Sequence, residues 1–241
     1  MIRFAASVFA FVVSASAALA GCAPLVFEAK NYIVCRFDLA TNKLALFNLD
    51  AEGRPFGTFA ALETGLAAEG RTLAFAMNAG MYNDRLRPVG LYVENGVEVK
   101  ALNTRKGRGN FHLMPNGVFY VAGNTAGVAD SQSYRKLALK PDLATQSGPM
   151  LVINGSIHPA FSPDGTSLKI RNGVGVANDM SVVFAISEEG VRFHDFARLF
   201  RDELRCPNAL FLDGSVSGLY SPELGRNDMT RPLGPIIAVV K

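Results

Sequence analysis

The 241-residue chain has no tryptophan, only three histidines and only three cysteines. Without tryptophan, a platform for a sugar ring has to come from tyrosine or phenylalanine. His112, His158 and His194 lie far apart and lack metal-ligand spacing, so a histidine zinc site is not supported and no metal or cofactor is expected from motifs, although a divalent ion is not excluded. There is no Gly-x-Ser-x-Gly elbow, which argues against an α/β-hydrolase. Net charge is only +3 and the charges are scattered, so nucleic acid is not an expected partner. No linker, repeat or low-complexity stretch interrupts the chain. With 49% hydrophobic and 19% charged residues it has ample material for a packed core.

The first residues read as an address. Arg3 supplies a positive start, residues 4–17 an apolar region and Ala18-Leu19-Ala20 a small-residue cleavage pattern, which together predict a secretory leader over residues 1–21 and an exported protein. Leu19-Ala20-Gly21-Cys22 also fits a bacterial lipobox. Cleavage before Cys22 makes a periplasmic or cell-envelope lipoprotein held to the membrane by a lipid on that residue; cleavage after Ala20 makes a soluble secreted or periplasmic protein. Cys35 and Cys206 then remain in an oxidising compartment, where a pair is more often a disulfide than a metal site, and the expectation is that they are bridged. With Cys22 unlipidated, three pairings are open.

From residue 24 onward the periodicities alternate between strand and helix. Residues 32–37 and 44–49 read as a hairpin around Thr41-Asn42, Phe56 to Leu66 as a helix stopped at Gly70, and residues 89–93 and 97–102 as a hairpin around Asn95-Gly96. Residues 111–114 and 118–121 flank another turn, 131–139 form a short helix, and 181–186 and 191–193 pair around Glu188-Glu189-Gly190. Phe196, Phe200 and Leu204 mark a helix ended by Pro207, and residues 235–240 make a last strand. The expected fold is one α+β domain spanning 24–241, with a mixed, largely antiparallel sheet core and a few peripheral helices.

Four apolar runs end in or start from polar clusters, the layout in which a rigid strand holds chemistry at a cleft. Asn208 to Leu212 leads into Asp213-Gly214-Ser215-Val216-Ser217, and Leu73 to Met77 leads into Asn78-Ala-Gly-Met-Tyr82. Ser147-Gly148-Pro149 opens a buried strand, with Pro149, which has no N–H, suited to its first residue. Arg171-Asn-Gly-Val-Gly-Val176 has two glycines but continues as a strand, so it is not a phosphate-cradling loop. Its arginine is of the type that grips phosphate or carboxylate with two hydrogen bonds.

Taken in order, these four motifs resemble the phosphodiester glycosidase family, and within it a branch of small exported bacterial proteins. The resemblance implies an active cleft lined by the four segments and hydrolysis of a sugar-1-phosphodiester to free sugar and a phosphate monoester. Asp213 and Arg171 are then the expected catalytic pair: the arginine holds the phosphate and takes up its charge, and the carboxylate steadies the anomeric centre or activates water. Asn78, Tyr82, Ser147, Gly148, Gly214, Ser215 and Ser217 are the expected substrate contacts. Ser215 stands where the family commonly has a second glycine, which implies an altered approach to the ligand. The expected partner is a glycosyl phosphodiester or related envelope glycan. Two other functions fit the same residues: a lipoprotein that binds glycans or envelope phosphodiesters without turnover, and a phosphodiesterase that cuts the P–O bond.

Overall fold

The structure, a computed structural model, describes residues 21–177, 181–213, 216–228 and 231–241. The leader through residue 20, Gly214 and Ser215 lie outside them. Three antiparallel sheets make up the molecule. The largest has seven strands in the order Gly21–Phe27, Lys30–Phe37, Val182–Ser187, Asn172–Val176, Asn208–Phe211, Met150–Ile153 and Ser156–Ile157. A second runs Arg226–Asn227, Leu219–Ser221, Leu73–Asn78, Ile236–Val240 and Leu44–Phe47. A third runs Val97–Lys100, Tyr92–Glu94, Leu143–Ser147, Gly117–Ala122 and Thr125–Asp130. The α+β reading with a largely antiparallel core is therefore correct.

One apolar core is shared by the inner faces of all three sheets: Ile33, Val174, Phe184 and Leu210 from the first, Leu46, Phe75 and Ile237 from the second, Phe119, Val128 and Leu143 from the third. The first sheet is also covered outside, by Phe193–Arg198 and its π-helical continuation Leu199–Glu203, which press Phe196 and Phe200 onto Ala185, Ala209 and Phe211. Burial on both faces is why Val182–Ser187 is so uniformly apolar. It also explains Gly173 and Gly175. A methyl at Gly173 would come within 2.9 Å of Leu210 O, and one at Gly175 within 2.7 Å of Cys206 Sγ and 3.0 Å of Phe200 Cδ1, so these glycines let the helix lie close to the strand. The helix Phe59–Ala68 covers the second sheet in the same way through Phe59, Leu62 and Leu66; Thr58 Oγ1 caps it by accepting from Ala61 N at 3.0 Å.

Several local expectations are corrected. The 32–37 and 44–49 runs are not a hairpin: the first pairs with residues 21–27 and 182–187, the second with Ile236–Val240 in another sheet. Residues 110–112 form a 3-10 turn, and Gly117–Ala122 instead makes its hairpin with Thr125–Asp130 across Gly123-Asn124. Beyond 187 only an isolated bridge joins Lys169 and Val191 before the helix begins.

The disulfide is also reassigned. Cys35 is bonded to Cys22, its register partner across the 21–27/30–37 hairpin, and not to Cys206. Strand parity is the reason. Cys35 points into the shared inner core, whereas Cys206 belongs to the cluster on the outer face of the same sheet, where its Sγ lies 3.5 Å from Leu204 O. A Cys22 sulfur held in this bond cannot carry a lipid thioether, so the disulfide and the lipid anchor are alternative fates of one atom.

Candidate active site

Two strands from different sheets end side by side, and an asparagine stands on each. Asn78 is the last residue of Leu73–Asn78 and Asn172 the first of Asn172–Val176; both are fully buried. Asn172 Nδ2 donates to Asn78 Oδ1 at 2.9 Å and to Asn78 O at 3.2 Å. The remaining acceptor capacity of the pair is turned on the 213–218 loop: Asn172 Oδ1 accepts from Asp213 N at 3.1 Å and from Ser217 Oγ at 3.4 Å, and Asn78 Oδ1 accepts from Gly218 N at 2.9 Å. Both ends of the loop are thus tied to one amide pair. Ser147 Oγ donates to Leu212 O, and Ser217 Oγ donates to Asp213 O at 2.8 Å, which braces the same turn.

This node has a measurable consequence. Asn172→Ala removes the amide that accepts from Asp213 N–H and donates to Asn78, and is expected to cost about 2–4 kcal/mol, read as a lower urea midpoint. Amide hydrogen exchange at Asp213 and Gly218 should rise more than elsewhere. An unchanged midpoint and unchanged exchange would remove the clamp role.

The node sits beneath a cleft of about 640 Å³ lined by Tyr82, Asp84, Asn110, Asp213, Val216 and Arg231 among others. Gly80 brings the 78–82 segment there. A methyl on it would lie 2.4 Å from Gln146 O and Thr145 Oγ1, and its N–H donates to Thr145 Oγ1 at 3.1 Å. Tyr82 lies over Gly234, where a Cβ would come within 2.4 Å of its ring, and its hydroxyl donates to Pro232 O at 2.9 Å. Burial, together with the charge of Asp213 and against that of Arg231, pushes the phenol up to about 12, so it stays a neutral donor at any working pH. The one ring senses both charges.

The expected site residues divide sharply. Asp213 and Tyr82 line the cleft. Asn78 and Ser147 converge on the same place but are fully buried, and their side chains bond to the ends of the 213–218 loop. Gly148 is buried against Asn116 and Phe111, with a Cβ there only 2.7 Å from Asn116 Cβ; the Gly148-Pro149 bond is cis. Ser217 braces the turn. Gly214 and Ser215 lie outside the described residues.

Arg171, expected in the cleft, is not among the residues that line it. It is 1% exposed and lies on the outer face of the sheet, away from the cleft. Its Nε donates to Val191 O at 2.9 Å and Nη2 to Ser167 O at 3.0 Å, and its guanidinium stacks 3.6 Å from the centre of Phe193. Burial lowers its pKa to about 10. Adjacent strand residues point to opposite faces, so with Asn172 turned to the interior node Arg171 cannot face the same way. The cation that does border the cleft with Asp213 is Arg231, exposed and ahead of the last strand. The sequence gives it little signal, since Pro232-Leu233-Gly234-Pro235 separates it from the apolar run of the last strand.

The family model described as phosphodiester glycosidase matches residues 71–240, the span that carries every cleft segment named above. The chain is 39% identical over 180 residues, 75% of its length and 70% of the relative's, to the uncharacterized protein YigE of Escherichia coli K12. It shares a fold with the zebrafish N-acetylglucosamine-1-phosphodiester alpha-N-acetylglucosaminidase catalytic domain, solved auto-inhibited by its pro-peptide, at TM-score 0.61 and 12% identity over 90% of this chain and 81% of that one. A protein of Burkholderia pseudomallei superposes at TM-score 0.56 and 11% identity over 87% and 74%. With the family model spanning the 213–218 loop, the amide node beneath it and the strand behind Arg231, this chain belongs to the phosphodiester glycosidase family.

Proposed function

We propose that the protein hydrolyses the bond between the anomeric carbon and the phosphate of a sugar-1-phosphodiester, releasing the free sugar and a phosphate monoester. The observation that carries this reading is a carboxylate, Asp213, and a guanidinium, Arg231, bordering one cleft with Tyr82 between their fields. The leaving group is a stable anion, so little acid assistance is needed and the demand falls on charge. Arg231 holds the diester and takes up the charge that arrives on phosphate as the bond breaks. Asp213 steadies the oxocarbenium-like carbon or draws a proton from the attacking water. Tyr82, neutral and half-buried, offers a flat face for the ring, the role that tryptophan cannot fill in this chain.

The leader-like N-terminus and a disulfide at Cys22–Cys35 favour work outside the cytoplasm, on an envelope glycan. The reaction is tested by running it in ¹⁸O-labelled water on a synthetic sugar-1-phosphodiester. The label is expected in the sugar. Label in the phosphate product would mean P–O cleavage and would reject the glycosidase reading.

A further inference from the structure

Two loops border the cleft, and both carry cations that have no ion-pair partner among the described residues. The 103–110 segment supplies Gly109 and Asn110 to the cleft on one flank, and Thr104 and Lys106 to a neighbouring hollow of about 400 Å³ on the other. It is the ridge between two depressions. Arg105, Lys106 and Arg108 on this ridge are exposed, and none joins an ion pair. In the second loop Arg85 stands between Asp84 and Leu86, both of which line the cleft, and it is likewise exposed and unpaired. Arg87 is turned away, donating to Gly53 O at 3.0 Å.

These exposed charges stand on a buried scaffold. Gln146, 1% exposed, accepts from Leu91 N and Asn103 N at 2.9 Å and donates to Asn103 O at 2.7 Å and Ser131 Oγ at 2.9 Å. Asn103 Nδ2 in turn donates to Val89 O at 2.9 Å, which ties the root of the basic ridge to the loop that carries Arg85. The far end is held by Asn116, which donates to Phe111 O at 2.9 Å and accepts from Ser131 Oγ at 2.7 Å. His112 Nδ1 lies 2.9 Å from Arg105 O, and Gly107 passes so close that a Cβ on it would sit 2.5 Å from the His112 ring. A surface loop with both roots fixed by one satisfied network holds in place the backbone from which these charged side chains project.

Among the described residues, the acids that line these two depressions are Asp84 and Asp213 in the cleft and Asp130 in the hollow. Asp130 Oδ1 already caps the helix Ser131–Leu137 by accepting from Gln132 N and Ser133 N at 3.0 and 3.1 Å. Five cations, Arg85, Arg105, Lys106, Arg108 and Arg231, on the two loops and in the cleft, therefore outnumber these three acids. A neutral glycan would draw nothing from this field; a ligand with a charge on every repeat would.

We propose that the rim is a cradle for an anionic polymer: the natural substrate is a glycan whose repeats are joined by phosphodiesters, one diester over Asp213 and Arg231 and its neighbours along Arg85 and the 105–108 ridge. This rests on the glycosyl-phosphodiester reading of the cleft. The test uses the Asp213→Asn protein, which holds ligand without turnover, and compares by titration calorimetry a synthetic trimer of sugar-1-phosphate repeats with the single-repeat diester. The trimer is expected to bind at least about tenfold more tightly at low salt, the sum of two exposed charge contacts, and to lose that advantage by roughly 0.5 M salt.

Adding Arg105→Ala, Lys106→Ala and Arg108→Ala together should abolish the advantage and change affinity for the single repeat less than about twofold. Arg108→Glu alone, a lighter change to the fold, should at least halve the advantage by placing an acid on the path. Equal affinity for trimer and single repeat, or an advantage that survives both variants, overturns the cradle. Turnover of the single repeat by wild-type protein without a trimer advantage rejects the cradle and keeps the glycosidase. A trimer advantage with no turnover of either ligand keeps the cradle and rejects the glycosidase.

Discussion

Asp213→Asn is expected to lower turnover of a sugar-1-phosphodiester by roughly 10³, within the range that a positioned acid or base contributes, while substrate still binds. The substitution isolates charge from shape. The loop is held through the backbone of residue 213, its N–H on Asn172 Oδ1 and its carbonyl under Ser217 Oγ, and neither bond involves the side chain that changes. An amide of the same size therefore fits the same place, without the negative charge and with an NH2 donor where one carboxylate oxygen stood. A direct check that the charge has gone is available at Tyr82, whose phenol is held up first by burial and then by Asp213: its ultraviolet titration should move down from about 12 but not reach the ordinary value, because the burial remains. If the variant turns over at the normal rate with the Tyr82 titration shifted as described, the carboxylate is present but idle, and the chemistry must be assigned elsewhere in the cleft.

Asp213 could be read from the sequence because an apolar run that stops at a carboxylate marks a strand end, and strand ends are where a sheet presents groups to a cleft. What a run of letters does not carry is the face of the sheet and the identity of the neighbouring strand. Asn78, Ser147 and Arg171 were placed at the right ends, yet only pairing across two sheets shows that Asn78 and Ser147 turn inward to hold the 213–218 loop. The true partner of Asn78 is Asn172, one residue from the arginine that drew attention, and a shift of one residue reverses the face. The same limit applies to Cys35: its distance in sequence from Cys206 says nothing about the sheet lying between them. Local turns fared according to how local they were. Asn95-Gly96 makes its hairpin with both residues at positive φ, 51° and 76°, because the turn chemistry is self-contained. The Thr41-Asn42 turn joins strands of two different sheets, each paired with partners distant in sequence, which the turn residues alone do not encode.

The largest separation of roles is expected between two arginines. Arg231→Ala should reduce kcat on a sugar-1-phosphodiester by roughly 10²–10³, as loss of one preorganised charge-stabilising donor does. Its side chain is exposed and makes no ion pair among the described residues, so the melting temperature should stay within a degree or two of wild type. Arg171→Ala should do the reverse. It strips Val191 O and Ser167 O of their donor and empties the space beside Phe193 and Phe211, for a stability loss of about 3 kcal/mol. Protein that remains folded should keep most of its turnover. Arg171→Lys should recover little of that stability, since an ammonium cannot lie flat on Phe193 while serving two carbonyls set apart. Added guanidinium at millimolar concentration should restore part of the activity of Arg231→Ala, because the cleft is open to solvent, and none of the stability of Arg171→Ala, because that site is closed. Were Arg231→Ala fully active and a folded Arg171→Ala inert, the phosphate would have to approach the outer face of the large sheet, through the 158–170 segment that now covers it, and the cleft over Asp213 would lose its claim to the reaction.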